Sequence, residues 1–100
     1  KPLKGQQPII RILIAENFTQ VFIYGKVNIS DVTIRDKATI VPDGKTFLYS
    51  ENGKRYFKVT VKSTSMLYKT TFSFKNKPSQ TYTVLGELKL QYYKGKPIAV

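Results

Sequence analysis

Histidine and cysteine are both missing from the 100 residues of this chain, and only six carboxylates face seventeen lysines and arginines. Each absence closes a class of chemistry. Imidazole titrates near neutral pH, and imidazole with thiolate supplies most transition-metal ligands, so histidine-based triads, cysteine nucleophiles and zinc sites are out of reach. The six glycines are isolated, and none opens the strand-turn-helix context of a phosphate-binding loop. What remains is carboxylate, lysine or tyrosine chemistry. Hydrolysis by paired carboxylates needs two acids held across a cleft, and the spacing of Glu16, Asp31, Asp36, Asp43, Glu51 and Glu87 gives no such pair. Asp43 and Glu51 fall in turns, Asp31 and Asp36 bracket a short strand, and Glu87 lies on the polar side of its strand. Glu16 is the acid to inspect first, because a turn after a strongly apolar strand can open on a cleft. The chain thus reads as a module that binds or supports, with no catalytic, cofactor-binding or metal-binding residue assigned.

Long apolar runs are absent too. The longest, Ile9 to Ala15, is interrupted by Arg11 and is far shorter than the roughly 18 to 20 residues of a membrane-spanning helix. The chain opens at Lys1 without a charged-then-apolar leader and closes on the apolar, strand-like Lys96-Pro97-Ile98-Ala99-Val100. That pattern of ends reads as a piece of a longer protein, with residues 1–8 as a linker or tail and 9–100 as one all-β domain. Zero cysteine leaves the redox compartment open.

What is present is alternation. Arg55-Tyr56-Phe57-Lys58-Val59-Thr60-Val61-Lys62 has the period of a half-buried strand, with Phe57, Val59 and Val61 expected to face the core. Glu87-Leu88-Lys89-Leu90-Gln91-Tyr92 does the same with Leu88, Leu90 and Tyr92 inward, and Thr71 to Lys75 repeats the pattern. Further strands are expected at 9–14, 20–24, 27–29, 32–35, 38–41, 46–49 and 82–85. Pro42-Asp43-Gly44, Asn52-Gly53, Asn76-Lys77-Pro78-Ser79 and Lys94-Gly95-Lys96 supply the turns, with Asn52-Gly53 suited to a two-residue hairpin. About eight to nine short strands at intervals of about 8 to 12 residues predict a small antiparallel sandwich or barrel. At most one helical turn is expected, around Ser63 to Leu67. Closing the chain on a strand suggests that this last segment is an exposed sheet edge open to a partner strand.

A net charge of +11 predicts attraction to anionic partners: nucleic acid, anionic lipid or acidic wall polymer. Lysine is spread along the chain without a block, which excludes a basic tail. Alternation places Lys58, Lys62, Lys75 and Lys89 opposite the core, as members of a solvent-facing basic surface. The interleaving of Tyr24, Tyr49, Tyr56, Tyr68, Tyr82, Tyr92 and Tyr93 with lysines is the pattern of a stacking platform for single-stranded nucleic acid, and equally that of tyrosines half buried at strand edges. Two sequons, Asn17-Phe18-Thr19 and Asn28-Ile29-Ser30, carry no weight outside a eukaryotic secreted protein.

The opening Ile10-Arg11-Ile12-Leu13-Ile14 and the closing stretch from Gly86 to Val100 together resemble the sporulation stage II protein D family, also called the LytB or amidase-enhancer family. Its domain begins with a strand of the I-R-V-L-L kind, passes through a variable all-β middle, and reaches a Y-R-G-x-L-x-L … Y-x-G-K-L-x-V stretch. Here Tyr82 and Gly86 stand further apart than in that pattern, and Pro97 takes an aliphatic place. The resemblance implies a parent protein that cleaves peptidoglycan glycan strands or enhances a wall amidase, with the catalytic glutamate following Val100. It therefore implies a non-catalytic, extracytoplasmic domain of the bacterial cell envelope that binds an anionic wall polymer or a protein partner. A basic barrel for single-stranded nucleic acid is the alternative.

Overall fold

Strands form where β-branched and aromatic residues alternate with polar ones, and they end where the backbone must leave the extended region. The computed structural model describes residues 13–63 and 67–100, and all regular structure in them is β. One six-stranded antiparallel sheet runs β1 (Ala15–Glu16), β12 (Lys96–Ala99), β11 (Glu87–Tyr93), β8 (Val59–Ser63), β3 (Val27–Ile29) and β4 (Val32–Ile34). The second, also of six strands, runs β10 (Gln80–Val84), β9 (Tyr68–Ser73), β2 (Gln20–Tyr24), β5 (Lys37–Asp43), β6 (Thr46–Tyr49) and β7 (Lys54–Tyr56). The two pack face to face as a sandwich.

The core between them follows the alternation closely. Val21 and Ile23 of β2, Ile40 of β5, Phe47 of β6, Phe72 of β9 and Leu88 and Leu90 of β11 are fully buried. Each such side chain contributes about 1.5–3 kcal/mol of burial. Tyr92 ties the layers together: its ring stacks on Phe47 with centroids 4.6 Å apart, and its hydroxyl donates to the Thr46 carbonyl at 2.6 Å. At the edge, Phe72 meets Phe18 at 5.1 Å and Tyr82 at 6.0 Å in edge-to-face contacts. Thr70, inward on β9, is the one buried polar side chain among the described residues, and its hydroxyl has no hydrogen-bond partner.

Two glycines are required by geometry. Lys94 and Gly95 both take positive φ, 51° and 78°, as a two-residue turn matched to the twist of β11 and β12 demands. Gly25, at φ 129°, carries the chain from one sheet to the other, and a Cβ there would stand 3.2 Å from the Tyr68 Cβ.

Several expectations are corrected. The segment 55–62 is not one strand: it breaks at Phe57 and Lys58, which carry the chain from β7 in the second sheet to β8 in the first. Tyr56 packs against the core, and Phe57, expected inward, is 78 % exposed. The closing strand is not an edge, because β12 is paired on both sides, by β1 and β11. Asn52-Gly53 does not form a two-residue turn; Tyr49 pairs with Lys54, so residues 50–53 make a four-residue loop in which Asn52 Oδ1 accepts from the Lys54 amide at 2.8 Å. The described residues hold twelve strands, more than the eight to nine expected, since 55–62 divides and β1 and β12 are strands of their own. The linker over residues 1–8, the first strand up to Ile12 and the centre of the helical turn at 64–66 lie outside the described residues.

Candidate binding surface

Register decides which turns share an end of the sandwich. In the second sheet β5 ends, β6 begins, β9 ends and β10 begins at the same end as Gln20 of β2. In the first sheet the β11–β12 turn lies there too. The connections at this end are 17–19, 30–31, 44–45, 57–58, 74–79 and 94–95, and with the first residue of β12 they bring Lys45, Lys58, Lys75, Lys77, Lys94 and Lys96 to it, all exposed. None of these six forms an ion pair among the described residues. The acids toward this end are engaged or solitary. Asp43 holds Arg55 at 2.7 Å, and Asp31 holds Lys54 at 3.6 Å while accepting from the Tyr56 hydroxyl at 2.8 Å. That hydroxyl, with the Lys54 charge behind it, lowers the Asp31 carboxyl below the ordinary range, so it stays charged.

Two open hollows indent this end. One of about 280 Å³ is lined by Glu16, Asn17, Phe74, Lys75, Asn76 and Lys77. The other, about 370 Å³, runs from Asn17, Phe18 and Thr19 past Lys75 to Gly44, Tyr92 and Gly95. Asn17 and Lys75 belong to both, so the hollows adjoin. Asn17 turns the chain out of β1 at φ 55°, a conformation its short amide tolerates, and its backbone N–H donates to the Pro97 carbonyl at 2.8 Å. Lys77 holds its ammonium 4.3 Å from the Phe74 ring centroid, which fixes a cation beside an apolar floor. The first hollow thus sets two ammonium groups, two side-chain amides and a half-buried ring beside the Glu16 carboxylate.

The four lysines singled out from alternation are split by the fold. Lys62 and Lys89 sit on adjacent strands of the first sheet and share one acid, Lys62 at 3.6 Å and Lys89 at 3.4 Å from Glu87. Desolvation pushes the Glu87 carboxyl up, but the two ammonium groups outweigh it and the net shift is downward. Lys58 and Lys75 lie instead in connections at the basic end, exposed, while Lys89 is half-buried. Glu16 lines the first hollow with lysines for company. No group of three or more acids, histidines or cysteines that could hold a metal ion occurs among the described residues, and no helix there is long and apolar enough to cross a membrane.

The seven tyrosines do not assemble into one platform. Only Tyr24 and Tyr93 are exposed at 39 % and 59 %; the other five tuck their rings inward. Tyr68 donates to the Gly86 carbonyl at 3.2 Å and Tyr82 to Gln80 Oε1 at 2.8 Å, so these hydroxyls tether loops and strand ends. Burial, with the Glu87 charge, pushes the Tyr68 hydroxyl up to about 12.

Sequence reasoning passed over Lys45, Lys77, Lys94 and Lys96 as site residues. The available signal was their position within or beside turns, but which turns share an end is set by strand order. No family model, no curated protein and no solved structure matches this chain.

Proposed function

We propose that this chain is a non-catalytic β-domain of a bacterial cell-envelope protein concerned with peptidoglycan remodelling, and that it binds an anionic wall polymer through its lysine-bearing end. The observation that carries the reading is the gathering of Lys45, Lys58, Lys75, Lys77, Lys94 and Lys96 on the turns and the start of β12 at one end, where Lys75 and Lys77 line two adjoining hollows. Ammonium groups left without carboxylate partners favour a polyanion that can take up several of them at once, and the resemblance of the chain's ends to a wall-lytic family supports the extracytoplasmic setting.

Each lysine contributes weakly by itself, because an exposed charge pair is worth only about 0–1 kcal/mol. Several along one polymer add through effective concentration. Co-sedimentation with purified peptidoglycan carrying its anionic polymer tests the idea directly. Binding should be strong at low salt and fade as the screening length falls from about 10 Å at 0.1 M to about 3 Å at 1 M. Absence of binding at low salt, or equal binding to wall stripped of its polymer, contradicts the reading.

Single-stranded nucleic acid is the second reading, and one observation favours it. On the outer face of the second sheet Lys37 stands 4.9 Å from the Phe22 ring and 5.9 Å from that of Tyr24, a small cationic and aromatic cluster. Gel-shift titration against a single-stranded oligonucleotide at two salt concentrations separates it from the first, since loss at Phe22→Ala with Tyr24→Ala would place binding on the sheet face.

A further inference from the structure

Each sheet of an open sandwich has two edges, and these four differ sharply. β1 has two residues and β4 three, so neither offers a template of useful length. β7 also has three, and two of them, Lys54 and Arg55, carry charge. Such short or charged edges are how β proteins prevent unwanted pairing. β10 is different: Gln80-Thr81-Tyr82-Thr83-Val84 is five residues long, uncharged, free of proline and rich in β-formers. Its register with β9 runs without a bulge from Gln80 opposite Phe72 to Val84 opposite Tyr68. Val84 is buried and Tyr82 packs against the core, which holds the strand in place. Its other side pairs with no strand among the described residues.

The two ends of this edge have opposite character. Before Gln80 the chain carries Lys75 and Lys77, both exposed. After Val84 comes Leu85, 81 % exposed, and the residue preceding its partner Tyr68 is Leu67, 58 % exposed. Those leucines follow directly on the last pair of the ladder and form an apolar step at its far end. An edge with cations at one end and leucines at the other selects its occupant.

We propose that β10 is a docking edge for an extended segment of a partner protein, about five to seven residues long, with carboxylates at the end that meets Lys75 and Lys77 and an aliphatic side chain at the end that meets Leu67 and Leu85. Main-chain hydrogen bonds along the edge supply the pairing and the two ends fix its direction. A second copy of this chain fits poorly. Antiparallel pairing of β10 with itself would set the leucines of each copy against the lysines of the other, and it would bring together two molecules of charge +11.

The test uses two synthetic peptides of alternating threonine and valine, about seven residues long, with two glutamates at one end and two leucines at the other, in the two opposite sequence orders. Amide hydrogen exchange on the whole chain reads the outcome. One order should bind saturably and slow the amides of 80–84, the reversed order should bind at least about tenfold more weakly, and Leu85→Lys or Lys75→Glu with Lys77→Glu should each weaken the better peptide about tenfold. Leu85→Lys lies outside the lysine-bearing end and leaves wall-polymer binding intact, so the failure of one reading is distinguishable from the failure of the other. Protection at β4 or β7 instead of β10, equal binding of the two orders, or no protection at millimolar peptide overturns the proposal. So does a dimer in sedimentation equilibrium that Thr81→Lys with Thr83→Lys dissolves, since it would make a second copy the occupant.

Discussion

Two stretches with the same alternation meet different fates. Residues 87–92 form one continuous strand, with Leu88 and Leu90 fully buried and Tyr92 packed on Phe47. Residues 55–62 carry an equally regular pattern yet break at Phe57-Lys58, because the first half is the edge of one sheet and the second half lies inside the other. A period of two reports the pleat of a backbone and nothing about which sheet it joins. The inward set changes parity across the break: Tyr56 and Val59 face the core and the two residues between them do not.

That contrast is open to direct attack. Leu88→Ala should cost about 2–5 kcal/mol, the usual range for a fully buried leucine, measured by urea denaturation. If the variant loses less than about 1 kcal/mol, the continuous strand is not the packed element described. Gly25→Ala should also destabilise, since the positive φ and the 3.2 Å approach to Tyr68 both oppose a Cβ where the chain changes sheet. A smaller effect of opposite sign is expected at Thr70: Thr70→Val removes a buried hydroxyl without a partner and should raise stability by about 1 kcal/mol. Phe57→Ser should sit within about 0.5 kcal/mol of the parent, as substitutions at exposed positions do, whereas an inward Phe57 would make it one of the most damaging changes.

Titration sharpens the same comparison. The hydroxyls of Tyr56 and Tyr68 are each pushed up to about 12, Tyr56 by desolvation and then by its bond to Asp31. Between the ordinary tyrosine value near 10 and about 12, the folded chain holds protons that the unfolded chain has released, so stability falls as pH rises through that window. At the acid side, the lowered carboxyls of Asp31 and Glu87 give stability that is present above their unfolded values and lost as pH drops below them. Tyr56→Phe should return the Asp31 carboxyl upward toward its ordinary range, visible in an NMR titration, and leave Glu87 unmoved. A shift at both would mean that the two acids are not governed by their separate partners.

Much of the fold was legible because it depends on local rhythm. The strands at 20–24, 27–29 and 46–49 emerge with the bounds that alternation assigns them, and the all-β class follows from the lack of any helical period. Pairing was not legible. The closing residues look like an exposed edge because they are apolar and last in sequence, yet β12 is sealed by β1, a strand of only two residues that no pattern announces. The candidate surface was blurred for the same reason. Alternation assigns Lys58, Lys62, Lys75 and Lys89 to solvent, but only strand order reveals that Lys62 and Lys89 share Glu87 while Lys58 and Lys75 join the lysines of other turns.

The claim that one end of the sandwich is the binding surface is tested most directly by NMR shift mapping with purified anionic wall polymer at low and high salt. Shifts should gather at 43–46, 74–79 and 93–96 and vanish at high salt. Shifts centred on Tyr24, Lys37 and Lys69 of the outer sheet face, or shifts that salt leaves unchanged, would contradict it.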